Sequence, residues 1–154
     1  MPKPKILVIM GSKSDQPTMS KSTEILNKFK IPYRMEICSA HRNPEKIKSL
    51  AKGAEKGGIK VIIAGAGMAA HLPGVIASYT NLPVIGVPLN ASPLSGIDSL
   101  FSMVQMPSGV PVATMAIGEA GAKNAAILAI QILSLSDEKL KKRLEKFKQD
   151  LAEK

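Results

Sequence analysis

The sequence predicts a three-layer α/β/α domain, doubly wound around a five-stranded parallel sheet, with a helical extension at its C-terminal end. Short apolar runs alternate with stretches of helical periodicity, the pattern of successive βαβ units. Five of these runs have strand length. Several are apolar throughout instead of alternating, as strands covered on both faces must be.

Residues 5–10 (KILVIM) form the first such run. Residues 17–29 follow as a helix, with Met19, Ile25, Leu26 and Phe29 able to face the sheet. Tyr33, Met35 and Ile37 alternate as a second strand. Pro44 suits the first turn of a helix running to about residue 56, with Ile47, Leu50, Ala51 and Ala54 on one stripe and Gly57-Gly58 ending it. Residues 61–64 make the third strand, followed by a Gly/Ala-rich turn and a helix to about Tyr79. Residues 83–87 and 112–115 are the fourth and fifth strands, with a helix over 97–104 between them. The Ala-rich helix over 121–135 is apolar nearly all round, which predicts burial on several sides. A final helix starts near Ser136 as N-cap, with Asp137 and Glu138 in its first turn. The expected organisation is one domain over 1–154, a core of 1–135 and a terminal helix of 136–154, of the flavodoxin-like type.

Charge is uneven along the chain. Of the net +9, residues 1–60 hold 13 Lys/Arg against 5 Asp/Glu, whereas 61–135 hold only Lys123, Asp98 and Glu119. The basic balance fits a phosphorylated small molecule better than nucleic acid. Single-strand binders need aromatic stacking platforms, and the chain has two Tyr, three Phe and no Trp. Residues 1–10 carry no leader signature, and the uncharged stretch 61–97 is broken by Pro73, Asn81, Pro83, Pro88 and Asn90. No part of it offers the ~20 apolar residues of a membrane span. The lone cysteine, Cys38, excludes an intrachain disulfide and reads as a small buried apolar residue, in keeping with a cytoplasmic protein.

Doubly wound sheets bind ligands at the carboxyl ends of their strands, so three loops carry the functional reading. After the first strand stands Gly11-Ser12-Lys13-Ser14-Asp15, whose hydroxyls and backbone N–H groups suit phosphate or ribose oxygens; Asp15 equally suits a helix cap. After the second stands Ser39-Ala40-His41-Arg42-Asn43-Pro44. Histidine titrates near ~6.5 and can give and take a proton at neutral pH, and arginine offers a fork for phosphate or carboxylate. After the third comes residues 64–74 (AGAGMAAHLPG), with the only other histidine, His71.

Several chemistries are excluded. The third loop contains G-x-G-x-x-[GA], but no Asp or Glu occurs between Glu55 and Asp98 to hold a dinucleotide ribose, and the loop follows the third strand instead of the first. A Walker loop, a G-x-S-x-G elbow and His spacings for zinc are all absent. No metal site is expected.

Taken together, 11–15, 39–42 and 64–74, with 96–114 (GIDSLFSMVQMPSGVPVAT) and Asn124-Ala125-Ala126, resemble the phosphoribosylaminoimidazole carboxylase catalytic subunit family, in its N5-carboxyaminoimidazole ribonucleotide mutase class. The resemblance spans residues 5–135. It implies that His41 is the catalytic histidine and His71 a second pocket histidine. It implies a ribonucleotide held by Ser12, Ser14, Asp15 and Arg42, with Ser39, Ala40 and the segments at Gly67, Met68 and Leu72 completing the pocket. Met68 is a departure, standing where many relatives have a second glycine. A second class of the family carboxylates aminoimidazole ribonucleotide directly with CO2, and has polar and basic residues in place of Met68-Ala69-Ala70-His71. The chain resembles the mutase class, and direct carboxylation is the alternative.

The implied reaction needs no cofactor: one histidine acts first as acid toward a carbamate nitrogen and then as base toward a ring carbon. A flavin-binding redox module would share the sheet but want aromatic rings beside the flavin. A nucleic-acid module would use the charge but lacks a base-reading surface. The resemblance further suggests a homo-octamer. Sparse charge over 61–135 supports self-association, and the terminal line Leu140, Leu144, Phe147, Leu151 is a stripe expected to dock on a neighbouring subunit or to fold back on its own chain.

Overall fold

Strand β1 (Ile6–Met10) is buried at every position and sits second in the sheet, between β2 (Tyr33–Ile37) and β3 (Val61–Ala66). The computed structural model describes residues 2–153. Beyond β3 lie β4 (Val84–Pro88) and the two-residue β5 (Ala113–Thr114), giving an all-parallel sheet of order β2-β1-β3-β4-β5. This is the flavodoxin-like order. β2, at the edge, is only half-buried and alternates, whereas β1, β3 and β4 are fully covered, which explains their unbroken apolar sequences.

Because successive side chains of a strand point to opposite faces, β1 feeds two cores. Ile6, Val8 and Met10 join the core beneath α1 (Gln16–Lys28), α5 (Glu119–Ser134) and α6 (Glu138–Ala152). Leu7 and Ile9 join the core beneath α2 (Pro44–Ala54), α3 (Leu72–Ala77) and α4 (Ile97–Val104). α5 is covered by the sheet, α1 and α6 at once, and its Ala122, Ala125, Ala126 and Ala129 are fully buried.

Four expectations need correction. The cap of α6 is Asp137, not Ser136: its carboxylate accepts the Leu140 N–H at 3.0 Å, one turn into the helix. The apolar line of α6 serves its own chain. Leu140 and Leu144 are buried in the α1/α5 core, and Phe147 meets Phe29 edge-on at 5.4 Å, leaving only Leu151 exposed. The fifth strand is shorter than residues 112–115: at the sheet edge and paired on one side only, it forms a ladder just at Ala113 and Thr114, opposite Ile85 and Gly86, and Met115 N–H still donates to Gly86 O at 2.9 Å. The third strand runs two residues past Ala64, so Gly65 and Ala66 are strand, not turn.

Candidate active site

The sheet order reverses between β1 and β3, and the loops leaving these two strands part there, opening a crevice above their carboxyl ends. The loop after β2 closes its third side. The cleft has a volume of about 540 Å³, and the residues singled out from the sequence all line it.

The loop after β1 is organised by its own side chains. Ser12 caps a short 3-10 turn over Lys13–Asp15, and the Asp15 carboxylate accepts the Ser12 N–H at 3.0 Å. The Ser14 hydroxyl lies 3.0 Å from the Ser12 hydroxyl. Asp15 stands at the head of α1 but makes no side-chain cap to it; its carboxylate turns back to the loop instead. Only 8% of the residue is exposed, and this burial raises its carboxyl above the ordinary 3.8 despite the Ser12 hydrogen bond.

The loop after β2 turns on a Ser39 C=O that accepts the Asn43 N–H at 2.9 Å, and Asn43 then caps α2 through the Lys46 N–H at 3.2 Å. Pro44 follows at the first helical position, where its missing N–H costs nothing. The Ser39 hydroxyl accepts the Arg42 N–H at 3.3 Å, and the Arg42 guanidinium donates to Gly11 O at 3.3 Å, tying the second loop to the first. Ala40 and His41 are thereby presented at the mouth. Cys38 lies below them, buried, and desolvation pushes its thiol up, so it stays protonated and serves as packing.

The loop after β3 is built from small residues so that it can pass close to its neighbours. A Cβ on Gly67 would collide with Ala91. The chain then turns back, Ala70 N–H donating to Gly67 O at 3.0 Å, with Met68 and Ala70 held in the left-handed region at φ 55° and 36°. Glycine is the residue that meets this geometry without strain, so the backbone here runs against the preferences of both side chains. The turn delivers His71 and Leu72 to the start of α3. Thirty residues apart in sequence, His41 and His71 meet: His41 Nε2 and His71 Nδ1 are 2.6 Å apart, one donating and the other accepting.

One lining residue escaped the sequence reading. Ala91, from the loop after β4, borders the cleft. The strand-end rule applied to β4 as well would have flagged it. Among the described residues no cluster of three or more His, Cys, Asp or Glu side chains is placed to hold a metal ion.

A parallel sheet of this order, with hydroxyls, an arginine and a histidine pair converging at its switch point, defines an α/β enzyme acting on a small anionic molecule. The chain belongs to the AIR carboxylase family, whose model matches residues 5–154. It is 57% identical over 145 residues to the N5-carboxyaminoimidazole ribonucleotide mutase of Haemophilus influenzae, covering 94% of this chain and 88% of that protein. It is 58% identical over 148 residues to the mutase of Saccharolobus solfataricus, covering 96% and 92%. The crystal structure of Treponema denticola PurE superposes with a TM-score of 0.88 at 30% identity, over 97% of this chain and 92% of that one.

Proposed function

We propose that this chain is a purine-biosynthesis isomerase that interconverts N5-carboxyaminoimidazole ribonucleotide and 4-carboxyaminoimidazole ribonucleotide. The observation that carries the reading is the contact between His41 and His71 inside the switch-point cleft. The reaction moves a carboxylate from an exocyclic nitrogen to the adjacent ring carbon. Protonation of the carbamate nitrogen lets its N–C bond break and releases CO2. The electron-rich ring carbon then adds to that CO2, and loss of its proton restores the aromatic ring. One proton enters and one leaves, no electron changes hands, and a histidine can serve both steps.

His41 is the acid and then the base, giving its proton to the carbamate nitrogen and taking one from the ring carbon, and His71, hydrogen-bonded to it, holds its tautomer and ring orientation. Arg42 and the Ser12, Ser14 hydroxyls take the phosphate, while Asp15 accepts from ribose hydroxyls. Ser39, Ala40 and the backbone at Gly67 and Leu72 form the walls. Met68 and His71 border the base end. Acid–base help of this kind contributes roughly 10²–10⁴-fold, and the rest comes from keeping CO2 beside the ring carbon. Neither a metal nor a nucleotide cofactor has a step to perform.

The protein works as a homo-oligomer, an octamer on the family resemblance, and acts in the cytoplasm, where the free thiol of Cys38 is at home. α4 supports self-association. Ile97, Phe101 and Val104 expose half or more of their surface along one line, Leu94 is equally exposed in the turn before the helix, and among the described residues the buried Oδ1 of Asp98 on the same helix has no donor. No described helix is long and apolar enough to cross a membrane.

Two substrates decide between the mutase and the direct carboxylase. Offered the carbamate alone, the protein should form the 4-carboxy isomer without ATP and in the presence of a chelator. Turnover only of the uncarboxylated ribonucleotide with CO2 would overturn the mutase reading.

A further inference from the structure

The hydroxyl of Ser99 makes a contact that its helix does not require. Ser99 lies in the first turn of α4 and is fully buried, with Oγ 2.9 Å from Gly96 O and 2.9 Å from Leu89 O. The bond to Gly96, three residues back, is the local one by which a helical serine satisfies itself. The other reaches the residue just beyond β4, ten positions earlier, and clasps the two ends of the loop together. Leu89 N–H donates to Ala66 O at 3.0 Å, so the Leu89 backbone is tied to β3 on one side and to α4 on the other. Among the described residues, the remaining bonds of the loop are local: Leu94 and Ser95 N–H both reach Ser92, and Ile97 N–H reaches Leu94 O.

The clasp bears on the cleft through what the loop carries. Leu89 O also accepts the Ala91 N–H at 3.1 Å, so the carbonyl that Ser99 holds directs Ala91. Ala91 packs on Gly67 so closely that a Cβ there would overlap its methyl. Gly67 O accepts the Ala70 N–H at 3.0 Å, and His71 follows directly, its Nδ1 against His41 Nε2. Ala91, Gly67 and His71 line the cleft, whereas Ser99 lies behind it. Loss of the Ser99 hydroxyl would therefore reach the histidines through the wall that seats His71. Ser12 and Arg42, on the loops after β1 and β2, would keep their places.

We infer that Ser99 is a positioning residue for the histidine pair: its bond to Leu89 O seats Ala91 against Gly67 and so fixes where His71 meets His41. The kinetic part of the test rests on the proposed mutase reaction, and a spectroscopic part stands without it. The chain has two histidines, so 15N-histidine labelling reports on this pair alone. Solid-state NMR of the labelled protein reads the ring nitrogens whatever the particle size. The unaltered protein should show fixed, hydrogen-bonded tautomers, and Ser99→Ala should move the signals toward those of imidazoles exchanging tautomers freely. In Ser99→Ala, kcat should fall about tenfold with KM held within about twofold, because the reacting group is misplaced while the ribonucleotide contacts remain. Ser102→Ala removes a comparable bond from the same helix, Ser102 Oγ to Asp98 O at 2.8 Å, and should change neither signals nor kcat. Light scattering should give both variants the mass of the unaltered protein. Unchanged histidine signals or unchanged kcat in Ser99→Ala, or the same loss in Ser102→Ala, overturns the inference. A loss of kcat that accompanies a fall in mass assigns the effect to subunit contact and also overturns it. If the unaltered protein does not isomerise the carbamate, the functional reading falls, and the histidine signals alone decide the role of Ser99.

Discussion

His41 Nε2 lies 2.6 Å from His71 Nδ1, and the two rings meet nearly at right angles, at 85°. Only one proton fits between those nitrogens. Whichever ring carries it, the other presents a lone pair, so the contact fixes complementary tautomers of the two rings. On the proposed mechanism, His71 thereby holds the ring of His41 while His41 donates a proton and then recovers one.

The first prediction follows from that contact. His41→Asn should lower interconversion by at least ~10²-fold, because an amide hydrogen-bonds but does not shuttle a proton. Ribonucleotide binding, read by calorimetry, should persist. His71→Asn should cause a smaller loss confined to kcat, since the reacting group remains but its partner does not. Equal kcat for the unaltered protein and His41→Asn would remove His41 from the mechanism.

Asp15 gives a prediction in which stability and function oppose each other. Burial raises its carboxyl above 3.8 in the folded chain, so between the unfolded and folded values the folded state binds the extra proton. Stability from this group is thus fully present below the unfolded value, falls as pH rises through the window, and stays reduced at neutral pH. Asp15→Asn removes the buried charge and keeps an oxygen for the Ser12 N–H. It should melt higher than the original at neutral pH, with the gap closing below pH ~4, and bind ribonucleotide more weakly. A lower melting temperature at pH 7 would mean that the carboxylate stabilises the loop more than its burial costs.

Gly121 tests the packing of α5. A Cβ there would overlap the backbone carbonyl of Ala116, which cannot step aside as a side-chain end can. Gly121→Ala should cost at least ~1–3 kcal/mol in urea unfolding, although alanine is the better helix former. An increase in stability would show that the Ala116 turn yields freely.

Much of this architecture was legible because burial on both faces writes itself into continuous apolar runs, as in β1 and β4. The sequence could also be read for the three loops, since glycine, serine and histidine at strand ends have few structural reasons to cluster. Other features were not legible. That Leu140 and Leu144 face α1 and α5 depends on where the chain returns after Ser134, and periodicity marks a stripe without naming its partner. The contact between His41 and His71 depends on the β1–β3 and β1–β2 registers, which place the ends of β2 and β3 on either side of Met10. The left-handed backbone at Met68 and Ala70 runs against the preferences of both residues, and local reasoning fails where tertiary structure imposes strain.

The exposed face of α4 carries the last prediction. Phe101 is 61% exposed in the isolated chain, and with Ile97 and Val104 it makes an apolar line on α4 that none of the described residues covers. In a monomer, Phe101→Glu would be nearly neutral, because surface substitutions away from special features usually change stability by less than ~0.5 kcal/mol. In an assembly closed through α4, the same change buries a carboxylate against the apolar face of a second copy, and a buried unpaired charge costs several kcal/mol at each contact. The unaltered protein should scatter light as a particle several times 16.3 kDa, and Phe101→Glu should fall to a smaller species with its helical circular dichroism retained. If the mutant keeps the full assembly mass, α4 is not the contact; if the unaltered chain is itself a fully active monomer, the proposed assembly is wrong.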